Sequence, residues 1–385
     1  MTLSEDLEML RDSLRRLLGD IAPDATVQAW ERADHVPREM LKPLAELGVC
    51  GLSVDEAYGG VGKNVGGLLM AIQEISKRCM ALGGLYVQCA GYAGLNLTEQ
   101  GSARQKAELL PKVAAGELVF ALGLSEPNVG GDLASVETRA ERRGDKVVIN
   151  GAKRWCTGAQ IADYVYALVR SGPPEDRRRN LSFVLIPTDA PGVGITRIAT
   201  MGMRGVPTND VVFENVEIPA ENILGGEERW NQGWSQLAGP TLEVEKLQPS
   251  AMAVGLGEAA VEEAWAYSQQ RVQFGKRICG HQAVRHLLAD AQTRMQTCRL
   301  MLAHSADLVD RGLPSAVQTS MTKLHISETV RNVVIDCQTV MGAYGYAEGF
   351  NMERYVRDAM VLPIFGGSTA IQKNNIASLM RLPQE

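Results

Sequence analysis

The spacing of apolar residues changes twice along this chain, and these changes limit the folds that the chain can adopt. From residue 1 to about 118, apolar residues recur every three or four positions, as in Leu7, Leu10, Leu14 and Leu18, which predicts helices. From about 119 to 228, short β-type runs alternate with Gly, Pro, Asn and Asp turns, which predicts a small β-barrel or sandwich. After residue 229 the helical period returns and continues to the end.

The individual elements follow from the same patterns. Strands are predicted at 146–150, 164–169, 181–186 and 209–213, and long helices at 65–77, 283–309 and 315–340. No helix-length segment separates the predicted strands, so the middle region is not a doubly wound nucleotide fold. We therefore expect an α+β protein with an N-terminal helical domain (1–118), a middle β-barrel domain (119–228) and a C-terminal helical domain (229–385).

Composition excludes several classes of function. The 385 residues carry a net charge of -6, which gives no electrostatic reason to expect nucleic-acid binding. The chain has neither an apolar run long enough for a membrane span nor the layout of a signal peptide at its start, so a cytoplasmic protein is expected. Its seven cysteines show no zinc spacing and its five histidines form no HExxH motif, so we predict no metal site.

Two glycine-rich segments of the strand region have features that suit ligand binding. Residues 122–132 read Leu-Gly-Leu-Ser-Glu-Pro-Asn-Val-Gly-Gly-Asp, and residues 150–158 read Asn-Gly-Ala-Lys-Arg-Trp-Cys-Thr-Gly. Small residues and turn formers in the first segment bring backbone N–H groups close to a ligand. Trp155 and Thr157 in the second supply a flat apolar wall and a hydrogen-bond donor.

Three further segments lie in the C-terminal region. Residues 270–282 read Gln-Arg-Val-Gln-Phe-Gly-Lys-Arg-Ile-Cys-Gly-His-Gln, and the forked guanidinium of Arg271 suits a paired phosphate. Residues 338–346 read Gln-Thr-Val-Met-Gly-Ala-Tyr-Gly-Tyr, and residues 365–369 read Phe-Gly-Gly-Ser-Thr. Together with the two strand-region segments, these resemble the signatures of the acyl-CoA dehydrogenases, FAD enzymes that desaturate acyl thioesters. The resemblance covers the whole chain.

That resemblance implies the family's fold, with a C-terminal four-helix bundle, and FAD as the cofactor. Ser125 would hydrogen-bond the pyrimidine side of the flavin, Trp155 would pack beside the ring and Thr157 would contact N5. Gly131 departs from the serine usual at its position, so one hydroxyl contact is lost. The implied cofactor-binding residues are Leu122, Leu124, Ser125, Gly130, Gly131, Trp155, Thr157, Arg271, Phe274, Gln282, Gln338, Thr339, Gly342 and Ser368. The implied substrate-binding residues are Glu243, Lys246, Phe365 and Gly367.

The position at which the family often has its catalytic glutamate is Gly366 in this chain. A glycine cannot accept the Cα proton, although its backbone N–H can still polarise the thioester oxygen. Members resembling the isovaleryl-CoA, crotonobetainyl-CoA and prolyl-carrier-protein dehydrogenases have the base on the first long helix of the C-terminal domain, and the matching residue is Glu245. Pro249 cannot donate a hydrogen bond to the Glu245 carbonyl, so a distortion of that helix is predicted. The alternative is that Glu243 and Glu245 are ordinary surface carboxylates.

The resemblance implies α,β-dehydrogenation of an acyl-CoA, with Glu245 removing the Cα proton and hydride passing from Cβ to flavin N5. An acyl carrier protein could replace CoA, and a non-redox flavoprotein similar to a desulfinase is a second possibility, although such relatives lack the helix glutamate. A DNA-associated homologue would carry a basic C-terminal region, which is missing here. The implied partners are an electron-transfer flavoprotein and further copies of the chain, in a homodimer or homotetramer. The acyl group stays open.

Overall fold

The computed structural model describes residues 4–239 and 241–383. Its first region is helical, as predicted, and a capping box formed by Ser102 and Gln105 begins the last of these helices. A π-helical segment, Val87–Leu95, joins the fifth and sixth helices. The helices are α1 (Glu5–Ile21), α2 (Asp24–Ala33), α3 (Leu41–Glu46), α4 (Val65–Arg78), α5 (Met80–Tyr86), α6 (Asn96–Gln100) and α7 (Ala103–Ala114).

The middle region forms one curled sheet, a half-barrel in which the strand order is β1-β4-β2-β3-β7-β6, with β5 paired to β4. Its strands are β1 (Phe120–Gly123), β2 (Arg139–Arg143), β3 (Lys146–Lys153), β4 (Tyr164–Arg170), β5 (Leu181–Pro187), β6 (Val193–Ile198) and β7 (Thr208–Pro219). Strands β4 and β5 are almost continuously apolar and buried, since their two faces both pack against the protein interior. All four strands that the sequence predicted are present.

The C-terminal region is a helical bundle in which α9 packs against α10 and α11 and also against α4 of the first region. Because it has neighbours on several sides, α9 is buried around most of its circumference. It continues through Pro249 as one α-helix, so the predicted distortion does not break it. The elements are α8 (Gly233–Leu237), α9 (Thr241–Gln270), a hairpin of β8 (Val272–Gln273) and β9 (Lys276–Arg277), α10 (Gln282–Asp310), α11 (Ala316–Met341), α12 (Asn351–Ala359) and α13 (Thr369–Leu379).

This arrangement confirms the predicted α+β class, with helical regions on either side of a strand region. None of the helices within residues 4–239 and 241–383 combines the length and the apolar character that crossing a bilayer would require.

A buried ion pair connects two loops of the middle region. Lys153, at the end of β3, is 0% exposed, and its Nζ lies 2.7 Å from Oε1 of Glu126, which follows β1. The same ammonium donates to the carbonyl of Leu124, and the Glu126 carboxylate accepts the N–H groups of Glu137 and Thr138. Burial acts to raise the pKa of Glu126, but Lys153 and these N–H groups together lower it. The glycine-rich segments 122–132 and 150–158 are thereby joined.

We expect Lys153→Met to lower the free energy of unfolding by about 3–5 kcal/mol, because it leaves the Glu126 charge buried without its partner. Adding Glu126→Gln should recover part of that loss. A matched control is Lys146→Met on the same strand, whose ion pair with Glu217 is exposed; its effect should be much smaller than that of Lys153→Met. Urea unfolding of the purified protein measures all of these variants. Equal effects of Lys153→Met and Lys146→Met would contradict the role of the buried pair.

Candidate active site

The predicted base, Glu245, lies in the second turn of α9 and faces α6. Asn96 Nδ2 donates to its Oε1 at 3.1 Å, and the hydroxyl of Tyr166 donates to Asn96 Oδ1 at 3.3 Å. Burial raises the pKa of Glu245, and the hydrogen bond from Asn96 opposes that rise. A carboxyl group held in this way is a better proton acceptor than an exposed glutamate, so the structure is inconsistent with a surface role for Glu245.

A small cavity lies beside Glu245, between the beginning of α9 and the end of β1. It is lined by Asn96, Leu122, Leu124, Tyr166, Phe183, Gln236, Leu237, Thr241, Leu242 and Glu245. Among these lining residues, Glu245 has the only carboxyl group, and no other lining side chain is normally charged near neutral pH. Leu122 and Leu124, which were predicted to contact the cofactor, therefore lie next to the predicted base.

Gly366 lies close to the same turn of α9. Its φ is +60°, and a Cβ at this position would lie 2.9 Å from Cγ of Pro249, four residues after Glu245. A side chain is therefore disfavoured twice, by the left-handed backbone and by the proline ring. Within the described residues, no protein acceptor meets the N–H of Gly366. The position thus has a free backbone donor and no room for a carboxylate.

The segments 122–132 and 150–158 meet through the backbone, where the N–H of Arg154 donates to the carbonyl of Ser125 at 2.9 Å. The Trp155 ring is 55% exposed, and the Arg154 guanidinium lies 5.0 Å from its centroid. Thr157 Oγ1 lies 3.1 Å from Thr208 Oγ1. The Ser125 hydroxyl has no protein partner in the part of the chain that the structure describes. An exposed indole beside a free hydroxyl fits a flat ring system with polar edges, as in a flavin.

The C-terminal segment 365–369 lies against the first glycine-rich segment. A Cβ at Gly131 would lie 3.0 Å from Cδ1 of Ile371 in α13, whereas Gly130 is next to open space. Ser368 caps α13 by accepting the N–H of Ile371 at 3.4 Å, and the Gly367 carbonyl accepts the Gln372 side chain at 3.2 Å. Ser368 is thus a helix cap, which leaves its hydroxyl partly engaged.

The π-helical segment Val87–Leu95 contacts both α9 and the segment 150–158, which is predicted to bind the flavin. Gln88 donates its side-chain N–H to the carbonyl of Thr157. One turn further on, Gly91 contacts Gln248, so closely that a Cβ on Gly91 would lie 2.7 Å from Gln248 Oε1. Since Gln248 lies three residues after Glu245, Thr157 and the part of α9 that carries the predicted base both contact this one short segment.

Glu243 and Lys246 form a local ion pair on α9. Lys246 Nζ lies 3.0 Å from both carboxylate oxygens of Glu243, and the hydroxyl of Thr319 in α11 also donates to that carboxylate. Both predicted substrate-binding side chains therefore already have protein partners, and they lie within one turn of Glu245.

Phe365 is placed by a buried lysine of α11. Lys323 Nζ donates to the carbonyl of Leu362 at 3.0 Å and lies 6.0 Å from the centroid of the Phe365 ring. Burial lowers the pKa of Lys323 to about 8. Because Leu362 lies four residues before Gly366 and Phe365 directly precedes it, these contacts help to orient the loop that carries the Gly366 N–H.

The remaining predicted cofactor residues form a second group near the β8–β9 hairpin. The Arg271 guanidinium lies 5.3 Å from the centroid of Tyr344, and Gln338 Nε2 donates to the carbonyl of Gly345 at 3.2 Å. Phe274 is 93% exposed. Gln282 begins α10, Thr339 is exposed on α11 and Gly342 ends that helix with φ +59°. No contact within the described residues joins this group to Glu245 in the same chain.

Three residues near the site were not predicted from the sequence, namely Asn96, Gln248 and Lys323. Each is a polar residue within an apolar helical pattern, such as Gly-Leu-Asn-Leu at 94–97. Such a residue can equally face solvent at the edge of a helix, so the pattern alone does not distinguish it.

We expect Gly366→Ala to lower the free energy of unfolding by about 2–4 kcal/mol, the sum of a left-handed backbone cost and a clash with Pro249. In a Pro249→Ala background the clash disappears, and the cost of Gly366→Ala should fall to about 1–2 kcal/mol. Gly144→Ala is the control, because Gly144 has φ +65° with nothing within 4 Å. Denaturant unfolding measures all four variants. An unchanged cost in the Pro249→Ala background would contradict the proposed clash.

Comparison with known proteins assigns the family. Three family models match in order: the acyl-CoA dehydrogenase N-terminal domain at residues 4–117, the middle domain at 121–216 and the C-terminal domain at 231–380. An acyl-CoA dehydrogenase of Bacillus subtilis (strain 168) is 33% identical over 367 residues, which cover 95% of this chain and 94% of the relative.

Two solved structures have the same fold over almost their whole length. Butyryl-CoA dehydrogenase from Megasphaera elsdenii superposes with a TM-score of 0.93 at 26% identity, with 99% of each chain covered. A chain from work on the electron transferring flavoprotein of Acidaminococcus fermentans superposes with a TM-score of 0.94 at 28% identity, with 100% of each chain covered. The chain therefore belongs to the acyl-CoA dehydrogenase family, FAD-dependent oxidoreductases that act on acyl-CoA thioesters.

Proposed function

We propose that this protein catalyses the FAD-dependent α,β-dehydrogenation of an acyl-CoA, with Glu245 as the base that removes the Cα proton. The observation that carries this proposal is the position of Glu245, whose partly buried carboxyl lines the cavity between β1 and α9. Gly366, the alternative position for a base, has neither a carboxylate nor room for one.

In this proposal, two groups act on the substrate from the α9 side. The Glu245 carboxylate accepts the Cα proton, and Asn96 orients it through the hydrogen bond to Oε1. The unpaired N–H of Gly366 donates to the thioester oxygen as negative charge develops on it. Lys323 helps to hold the loop that carries this donor, because its ammonium group donates a hydrogen bond to the carbonyl of Leu362.

The chain's own residues also fit the cofactor. When bound, FAD supplies the acceptor for the hydride that leaves Cβ. Ser125, Trp155 and Thr157 would hold the ring system, because they combine an unpaired hydroxyl, an exposed indole and a polar wall in one place. Leu122, Leu124, Gly130, Gly131 and Ser368 would complete that side of the site.

We further propose that the chain forms a homodimer or homotetramer in which the cofactor lies across a subunit interface. The separation of the Arg271 and Phe274 group from Glu245 supports this, as does the exposure of the Phe274 ring. In such an assembly Arg271, Phe274, Gln282, Gln338, Thr339 and Gly342 would bind the dinucleotide end of FAD. Electrons would leave through an electron-transfer flavoprotein. Light scattering of the FAD-loaded protein would contradict the assembly if it found monomers.

Substrate binding is proposed to use Glu243, Lys246, Phe365 and Gly367, which flank Glu245 and Gly366. Glu243 shares its carboxylate with Lys246 and Thr319, so it is held in a fixed orientation in which it can still accept a hydrogen bond. Anaerobic reduction with a panel of acyl-CoAs and acyl carrier proteins tests the class of substrate. Bleaching of the flavin by carrier-bound acyl groups alone would exclude CoA as the carrier, and no bleaching by any thioester would overturn the proposed dehydrogenation.

We expect Glu245→Gln to lower kcat by about 10²–10⁴-fold while FAD stays bound, since the amide keeps the shape of the side chain but cannot accept the proton. The control is Glu262→Gln, an exposed position of the same helix that pairs with Lys77. Its kcat should match that of the unmodified protein. Stopped-flow bleaching measures the chemical step directly, and a Glu245→Gln variant that bleaches at the original rate would place the base elsewhere.

We expect Asn96→Leu to shift the acidic limb of the pH profile of kcat/KM to higher pH. Activity requires the ionised carboxylate and is lost as pH falls through the pKa of Glu245, which burial raises and the Asn96 hydrogen bond lowers. Removing that hydrogen bond therefore raises the pKa further. Asn332→Leu, on the exposed face of α11, should leave the profile unchanged. A limb that moves to lower pH in Asn96→Leu would contradict this assignment.

A further inference from the structure

Two buried glutamine side chains near Glu245 have amide atoms without protein partners. Gln248 is 1% exposed, and within the described residues neither its Oε1 nor its Nε2 makes a hydrogen bond. Gln88 is 3% exposed; its Nε2 donates to the Thr157 carbonyl, but its Oε1 has no partner. A buried amide group left unpaired destabilises the folded state, and these three atoms are such groups.

A third glutamine shows how completely a buried amide can be paired in this fold. Gln105 is also buried, and it uses its whole amide: Oε1 accepts the N–H groups of Ser102 and Gly225, and Nε2 donates to the carbonyls of Glu221 and Ile223. All four hydrogen bonds that the Gln105 amide can make are therefore formed. Gln248 has none of these bonds, although the helix that carries it packs closely on every side.

Both glutamines lie beside the site, behind the residues that line the small cavity next to Glu245. Gln248 lies three residues after Glu245 on α9, and Gln88 contacts Thr157. Gly91 separates them, and its missing Cβ allows the Gln248 amide to approach the π-helical segment. That segment, Val87–Leu95, is itself of a rare type that is frequent at functional sites. The two amides are shielded from solvent, so a substrate reaching them would displace part of this segment.

The charges nearby restrict the ligand to an uncharged group. Two lysines of the site are already engaged, Lys246 by Glu243 and Lys323 by the carbonyl of Leu362. The ionised form of Glu245 would repel a carboxylate placed beside it. An amide side chain offers one acceptor and two donors, which match a hydroxyl or another amide.

We propose that Gln88 and Gln248 form a subsite for an uncharged hydrogen-bonding group, a hydroxyl or an amide, on the acyl chain beyond Cβ. The substrate is then a polar acyl thioester rather than a simple fatty acyl one. This inference rests on the proposed dehydrogenation and names the class of acyl group on which it acts. A site built to pair such a group discriminates strongly against an analogue without it, because the analogue leaves the buried amides unpaired.

The test compares acyl-CoAs of one chain length with the FAD-loaded protein: pentanoyl-CoA, 5-hydroxypentanoyl-CoA, 4-carbamoylbutanoyl-CoA and glutaryl-CoA. We expect kcat/KM for the hydroxyl or the amide substrate to exceed that for pentanoyl-CoA and glutaryl-CoA by at least about ten-fold. Preference for pentanoyl-CoA, with normal bleaching, would overturn this inference alone and would indicate that water pairs the amides. Absence of bleaching with every thioester would instead overturn the proposed dehydrogenation itself.

A substitution at Gln248 tests whether this residue is responsible for the preference for polar acyl groups. Gln248→Met should lower kcat/KM for the preferred polar substrate by at least about ten-fold and leave pentanoyl-CoA unchanged or improved, because the thioether is similar in length and cannot pair. Gln296→Met, exposed on α10, is the matched control and should leave both values unchanged. Flavin content and melting temperature show whether each variant is folded. An equal loss for polar and alkyl substrates in a folded Gln248→Met variant would overturn the subsite.

Discussion

The buried ion pair between Lys153 and Glu126 is the interaction on which the middle of this molecule depends. It joins the loop after β1 to the end of β3, and these two segments carry Ser125 on one side and Trp155 and Thr157 on the other. A pair of charges this deep is stable only when the remaining polar atoms are also bonded, and here the Leu124 carbonyl and two backbone N–H groups complete the network. The two segments that carry Ser125, Trp155 and Thr157 are therefore joined by contacts within the protein itself.

A second constraint decides where the acid-base group lies. The ring of Pro249 fills the place that a side chain at Gly366 would occupy, and the backbone there is left-handed. Glu245, one helical turn before Pro249, points its carboxyl into the cavity instead. Position 366 keeps a backbone N–H that meets no protein acceptor among the residues that the structure describes. The contact between Pro249 and Gly366 thus leaves no room for a glutamate at position 366. The same turn of α9 carries Glu245, the residue proposed as the base instead.

Much of the fold was accessible from local patterns. The runs at 164–169 and 181–186 predicted strands correctly because they are continuously apolar and β-branched or aromatic, and 283–309 predicted a helix because its apolar residues recur at helical spacing. The distortion expected at Pro249 does not break α9, since packing on several sides outweighs one missing hydrogen bond. Asn96 could not be predicted, because its role depends on meeting Glu245 from 149 positions away in the chain.

The sequence by itself determined the α+β order of elements, the family and the segments suited to a flavin, because these depend on periodicity and on short motifs that a chain carries locally. Only the tertiary structure decided which carboxylate lines the cavity, why position 366 must be glycine and which glutamines remain unpaired. Those properties arise between residues far apart in sequence, and the hydrogen bonds and steric contacts that create them exist only when α6, α9 and the π-helical segment pack together.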